Sequence, residues 1–185
     1  MKKSNIVLIG YRCSGKTSVG KIIAEQTWMV FYDTDDLIEK NAGRSIKEIV
    51  EKDGWDRFRE IEKGVIREAS ELRNVVIATG GGVVSDEDNV NNLKKNGYII
   101  WLEGGVNILM ERMEKDIGVG NHRPSLTGGD PLTETMKVLE MRAPLYRNAA
   151  DLVINTDMLS LDEAAERAMK AFSIQRTDSR PLTAY

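Results

Sequence analysis

Gly10 and Gly15-Lys16-Thr17, with Tyr11 to Ser14 between them, spell G-x-x-x-x-G-K-T directly after the run Asn5-Ile6-Val7-Leu8-Ile9. No other stretch constrains the fold as tightly, because a loop of this kind works only where a buried strand ends and a helix begins. Successive backbone N–H groups must curl around a phosphate, which a Gly-rich turn permits, while the helix starting near Gly15 aims its positive dipole end at the anion. The β-branched run supplies the strand, and Val19, Ile22 and Ile23 have the spacing of an amphipathic helix. In such a loop Lys16 reaches the terminal phosphates and Thr17 offers its hydroxyl to Mg2+.

Further apolar runs at 30–32, 75–79, 98–102 and 152–154 read as strands, and the segments between them carry helical periodicity. Strand and helix in alternation imply an α/β fold with a parallel sheet covered by helices on both faces. About forty residues separate the second and third strands, far more than one crossover helix needs. Ile46, Ile49 and Val50, then Phe58, Ile61, Val65 and Ile66, make that insertion a cap of two or three helices, from about 34 to 62. A second interruption, about 115 to 131, holds Gly118, Gly120, Pro124, Gly128, Gly129 and Pro131 with no sustained period, the composition of a lid loop. Residues 1–172 are expected to form a single domain. The polar string 173–185 has little to bury and is expected to be a disordered tail.

Charge narrows the partners. With 26 Lys+Arg against 29 Asp+Glu, the 185-residue chain has no global basic surface for nucleic acid. No apolar run approaches the roughly 20 residues of a membrane span, and Met1-Lys2-Lys3 leads straight into a strand, so a cytoplasmic protein without membrane or nucleic-acid partners is expected. The one cysteine, Cys13, has no partner for an intrachain disulfide and reads as a small loop residue; the one histidine, His122, reads as a solvated loop residue.

In open α/β sheets ligands gather at the carboxyl ends of strands. The second strand ends in Asp33-Thr34-Asp35-Asp36, where alternate carboxylates can face one site, one serving Mg2+ through water and the other a hydroxyl; capping of the following helix is the competing role. The third strand has no acid at its end and runs into Gly80-Gly81-Gly82, read either as backbone that approaches a ligand closely or as a tight turn before a helix capped near Ser85 and Asp86. Arg59 and Arg142 are each either a solvated helix residue or, if they converge, a fork for a carboxylate. Arg123 is either a mobile charge or an arginine that folds over phosphates. Trp28, Trp55 and Trp101 form no base-stacking ladder.

Taken in order, Gly10 to Thr17, Asp33-Thr34-Asp35, Gly43-Arg44-Ser45-Ile46, Phe58-Arg59-Glu60-Ile61-Glu62, Gly80-Gly81-Gly82, Arg123-Pro124 and Arg142-Ala143-Pro144-Leu145-Tyr146 make a chain that resembles the shikimate kinase family from Ile6 to about Phe172. The loop alone is widely shared, whereas the combination is specific. The resemblance implies a nucleoside-monophosphate-kinase-like, three-layer P-loop fold with a five-stranded parallel sheet, a substrate-binding cap and a lid. It implies transfer of the ATP γ-phosphoryl group to the 3-hydroxyl of shikimate by a monomer that uses Mg2+. On the matching positions, Cys13, Ser14, Gly15, Lys16, Thr17, Ser18 and Arg123 would bind ATP, and Asp35, Arg59, Gly81 and Arg142 would bind shikimate. Thr17 and Asp33 would serve the metal; Asp35, Lys16 and Arg123 would carry catalysis; Glu62 would orient Arg59. Family members often place a basic residue against adenine just past the last strand, where this chain has Asn155-Thr156-Asp157-Met158-Leu159. Rival readings are a kinase of another hydroxy acid such as gluconate, a nucleotide kinase, and a nucleotide-dependent regulatory domain without enzyme activity.

Overall fold

In the computed structural model, which describes residues 2–117 and 130–177, five strands form one parallel sheet. They are β1 (Asn5–Ile9), β2 (Val30–Asp33), β3 (Val75–Ala78), β4 (Gly97–Glu103) and β5 (Leu152–Asn155), in the spatial order β2-β3-β1-β4-β5. The helices are α1 (Lys16–Thr27), α2 (Thr34–Ala42), α3 (Ile46–Glu71), α4 (Glu87–Asn96), α5 (Val106–Ile117), α6 (Pro131–Ala149) and α7 (Leu161–Thr177). The three-layer α/β architecture expected from the alternation of periods is the one observed.

Period-two side-chain direction explains why β1 is apolar throughout. Ile6 and Leu8 point to the face covered by α1 and α7, where Val19, Ile23, Ala164, Ala165, Ala168 and Phe172 close the core. Val7 and Ile9 point to the other face, against Ile66 and Ala69 of α3, Leu93 of α4, and Tyr146 and Ala149 of α6. Register is fixed by Ile6↔Val76 on one side and Leu8↔Ile100 on the other. Since β1 lies between β3 and β4, the loop after it opens at the crevice where the order of strands reverses, the place where ligands bind in such sheets.

Differences from the sequence reading have local causes. The cap is α2 plus the first half of α3, and α3 continues past residue 62 to Glu71 because Ile66 and Ala69 pack under the sheet. Gly54, at φ 83° and ψ 171°, breaks α3 into two pieces, a conformation that glycine alone adopts without strain. Strand β3 starts at Val75 as expected, after Asn74 takes a left-handed turn at φ 55°, and ends at Ala78, one residue early. Lys115 to Ile117 belong to α5 and Pro131 opens α6, so both ends of the stretch expected to be a lid are helical; 118–129, with His122 and Arg123, lies outside the described residues. The stretch expected to be a disordered tail begins as helix, and 178–185 lies outside the described residues. Ser173 to Thr177 are helical, held by Ser173 Oγ donating to Met169 O, by Gln175 Nε2 donating to Lys3 O, and by Arg176 over the Phe172 ring. Among the described residues no helix is long and apolar enough to cross a membrane.

Candidate active site

The phosphate loop takes its shape from two glycines. Gly10 sits at φ 143°, and a Cβ there would lie 2.5 Å from Leu102 O and 2.8 Å from Ser14 Oγ. Gly15, at φ 95°, is the N-cap of α1 and contributes no side chain, so the first-turn amides face the loop interior without a capping group. Lys16 is buried: its Nζ donates to Tyr11 O at 2.6 Å and contacts Ser14 Oγ at 3.5 Å, which folds the ammonium into the ring of backbone it serves. Cys13 is half-buried with Sγ 3.8 Å from Asp116 Oδ2, and Ser18 is exposed on the first turn of α1.

The two strand-two aspartates sit in different surroundings. Asp33 accepts from Asp35 N–H at 3.0 Å through Oδ1, capping α2, and from Thr17 Oγ1 at 2.7 Å through Oδ2. It is therefore both a cap and one half of an oxygen pair with Thr17. Such a pair suits Mg2+, a hard cation that takes oxygen ligands and keeps several waters instead of demanding a full protein cage. Asp35, one position into α2, is buried and faces a different space, a cleft of about 560 Å3 with its open mouth included. Arg12, Trp55, Arg59, Gly81 and Arg142 share that cleft with it.

Two arginines anticipated from sequence thus converge. Arg59 donates to Glu62 Oε2 at 2.5 Å, three residues on, and lies over the Phe58 ring at 4.9 Å and the Trp55 ring at 5.7 Å. The Glu62 side chain is 1% exposed, and burial pushes its carboxyl above the ordinary glutamate value against the pull of Arg59. Arg142 Nη1 donates to Gly81 O at 3.1 Å, joined there by the Tyr146 hydroxyl at 2.5 Å. Burial pushes Tyr146 up to about 12, so the phenol stays a donor.

The glycine triplet has a cause that the sequence does not display. None of the three has a positive φ. Instead, side chains of the site press on Gly80 and Gly82, while Gly81 lies against the backbone of the phosphate loop. A Cβ on Gly80 would lie 2.8 Å from Asp35 Oδ1 and 3.2 Å from Glu62 Oε1, and one on Gly82 would lie 2.4 Å from Arg59 Nη2. Gly80 N–H is already given to Thr34 Oγ1 at 3.1 Å, so it tethers α2 to β3. As expected, Asp86 caps the helix that follows, α4, after one turn of 3-10 helix at Val83–Ser85. Past β5, Asp157 accepts from Gly105 N–H at 2.8 Å and Met158 is 91% exposed.

Sequence reasoning missed Arg12, whose Nη2 lies 2.9 Å from Glu134 Oε1. It also missed Trp55 as a wall of the cleft and Tyr146 as the donor fixing Gly81. The signal for Tyr146 was present four residues after Arg142, on the same face of α6. Nothing in the sequence joins Arg12 to a glutamate so far along the chain.

A phosphate loop at the switch point, the Thr17–Asp33 oxygen pair beside it and an adjoining cleft with carboxylate and guanidinium groups are the features of a P-loop small-molecule kinase. Comparison with known proteins narrows the class. The shikimate kinase family model matches residues 12–173. The shikimate kinase of Caldicellulosiruptor saccharolyticus is 45% identical over 163 residues, 88% of this chain and 92% of that one; that of Syntrophus aciditrophicus is 40% identical over 180 residues, 93% and 92% of the two. The structure of shikimate kinase from Acinetobacter baumannii in complex with shikimate superimposes with a TM-score of 0.86 at 31% identity, covering 96% of both chains. This chain belongs to the shikimate kinase family.

Proposed function

We propose that the protein transfers the γ-phosphoryl group of ATP to the 3-hydroxyl of shikimate, giving shikimate 3-phosphate and ADP on the route to chorismate and the aromatic amino acids. The observation that carries the reading is the convergence of Asp35, Arg59 and Arg142 on one cleft beside the phosphate loop. A relative of the same fold carries shikimate in its structure.

In this reading the shikimate carboxylate lies against Arg59 and Arg142, because planar guanidinium groups match carboxylate geometry. Glu62 holds Arg59, and Gly81, fixed by Arg142 and Tyr146, lines the acceptor's other side. Asp35 receives the proton of the 3-hydroxyl as that oxygen bonds to the γ-phosphorus, and the bond from phosphorus to the β–γ bridging oxygen breaks to release ADP. Lys16 and the first-turn amides of α1, with Cys13, Ser14, Gly15 and Ser18 around the loop, hold the phosphates and take up developing negative charge. Thr17 and Asp33 would hold Mg2+, which when bound neutralises charge on the phosphate oxygens. Arg123 is assigned to the nucleotide side on closure of the lid. The reading includes a cytoplasmic monomer without nucleic-acid or membrane partners.

Incubation with ATP, Mg2+ and shikimate followed by phosphorus NMR tests it. A new monoester signal coupled to the proton on C3 is expected. Phosphate on another hydroxyl, or release of inorganic phosphate without a monoester, would overturn it.

A further inference from the structure

The cleft holds a third arginine that the reading above leaves unused. Arg12 belongs to the phosphate loop by sequence, yet its side chain lines the acceptor cleft. Its setting repeats that of Arg59 in two respects, a buried carboxylate partner and an aromatic ring beneath the guanidinium. Arg59 is held by Glu62, whose side chain is 1% exposed; Arg12 is held at 2.9 Å by Glu134, also 1% exposed. Arg59 lies over the Phe58 ring; Arg12 lies over the Tyr11 ring at 5.5 Å. A carboxylate so buried is costly unless it is compensated, and both are placed where they fix a guanidinium at the wall of one cleft. Unlike Arg59, Arg12 keeps its Nε buried without a hydrogen-bond partner, a donor left over after Glu134 has taken Nη2. The carboxylate that holds it sits on the first turn of α6, the helix that also brings Arg142 to the cleft two turns later.

The geometry points to Arg12 as a third acceptor-binding arginine, contacting an oxygen of the acceptor on the side that faces the phosphate loop, with Glu134 as its positioning residue. The inference rests on the shikimate reading and adds a specificity determinant to it. An acceptor of the right length meets cations from the cap, from α6 and from the loop, whereas a shorter hydroxy acid held by Arg59 and Arg142 leaves the Arg12 donor unsatisfied, and a site built to hydrogen-bond rejects ligands that leave its donors unpaired.

Two variants separate binding from folding. Arg12→Met leaves the Glu134 carboxylate with less compensation and should lower the melting temperature; Arg12→Met/Glu134→Gln removes both charges and should restore it, since replacing a buried pair is far less costly than breaking it. Steady-state kinetics then decide. With Arg12 as an acceptor contact, the shikimate KM should rise at least about tenfold in both variants, the loss typical of a charge-assisted hydrogen bond, while the ATP KM stays within about twofold. Arg12→Lys should recover part of the loss. If the double variant recovers its melting temperature and the wild-type shikimate KM together, the pair is structural and the inference fails; if the ATP KM rises most, Arg12 serves the nucleotide and the inference also fails. Absence of shikimate-dependent turnover in the wild-type protein would instead overturn the reading on which it rests.

Discussion

Replacing Gly82 by alanine tests the site at the point where backbone and side chain meet. Gly82 has φ −99° and ψ −4°, a conformation open to alanine, so the substitution carries no backbone strain. The added Cβ, however, would fall 2.4 Å from Arg59 Nη2, 2.6 Å from Nη1 and 2.8 Å from Cζ. The guanidinium must yield. Arg59 is one-third exposed and can swing toward the mouth of the cleft, so the stability loss should be that of modest overpacking, about 1–3 kcal/mol, and not the larger cost of a fully trapped buried charge. Function should suffer more. An Arg59 displaced from Glu62 forfeits its charge-assisted hydrogen bonds to the acceptor carboxylate, worth about 1.5–3 kcal/mol, which at about 1.4 kcal/mol per decade raises the shikimate KM roughly 10- to 150-fold. Coupled ADP-release kinetics alongside thermal melts read both effects. Gly64→Ala is the control in the same helix as Arg59: a Cβ there meets nothing within 4 Å, and the change should stabilise α3 by about 1 kcal/mol with kinetics unchanged. A Gly82→Ala enzyme with wild-type shikimate KM would refute the argument that the triplet makes room for Arg59.

Three further outcomes follow from the geometry. Lys16→Ala should lower turnover by at least about a hundredfold, the scale for removing a preorganised charge at the reacting group, with the fold retained by circular dichroism; wild-type turnover would remove Lys16 from the mechanism. Asp33→Asn preserves a good N-cap for α2 and alters only the charge beside Thr17, so its defect should shrink as Mg2+ is raised, whereas the roughly hundredfold or greater defect of Asp35→Asn should not respond; rescue of Asp35→Asn alone would reverse the two roles. Because burial raises Glu62, it takes up its proton above pH 4.5 as pH falls, loosening Arg59, so the shikimate KM should climb with a midpoint above 4.5. The same raised carboxyl binds its proton more tightly folded than unfolded, so folding stability is lost as pH rises through that window; Glu62→Gln should flatten both profiles, and unchanged profiles would detach Glu62 from Arg59.

How much was legible in the sequence depends on how local each cause is. The loop from Gly10 to Thr17 was readable because backbone geometry dictates its residue types, and β1 because burial on both faces demands an unbroken apolar run. Arg59 and Glu62 were readable as a helical i,i+3 pair. The glycines at 80–82 were visible as a feature, but the reason for Gly80 and Gly82 was not, since it lies in side chains of α2 and α3 pressing on β3's exit. Arg12 and Glu134 meet across 122 residues, and no local pattern predicts a partner at that distance. The polar look of Ser173 to Thr177 hid a helix end because its support, the backbone at Lys3, comes from the far end of the chain.

The identity of the acceptor decides the function. Release of ADP should be measured with shikimate, gluconate and AMP in parallel at saturating ATP and Mg2+, with the Arg59→Lys and Arg142→Lys enzymes alongside the wild type. Rapid release is expected with shikimate alone, with a shikimate KM that rises far more than the ATP KM in both variants, because an ammonium cannot reproduce the guanidinium fork. Equal or faster release with gluconate or AMP, or a rise confined to the ATP KM, would contradict it.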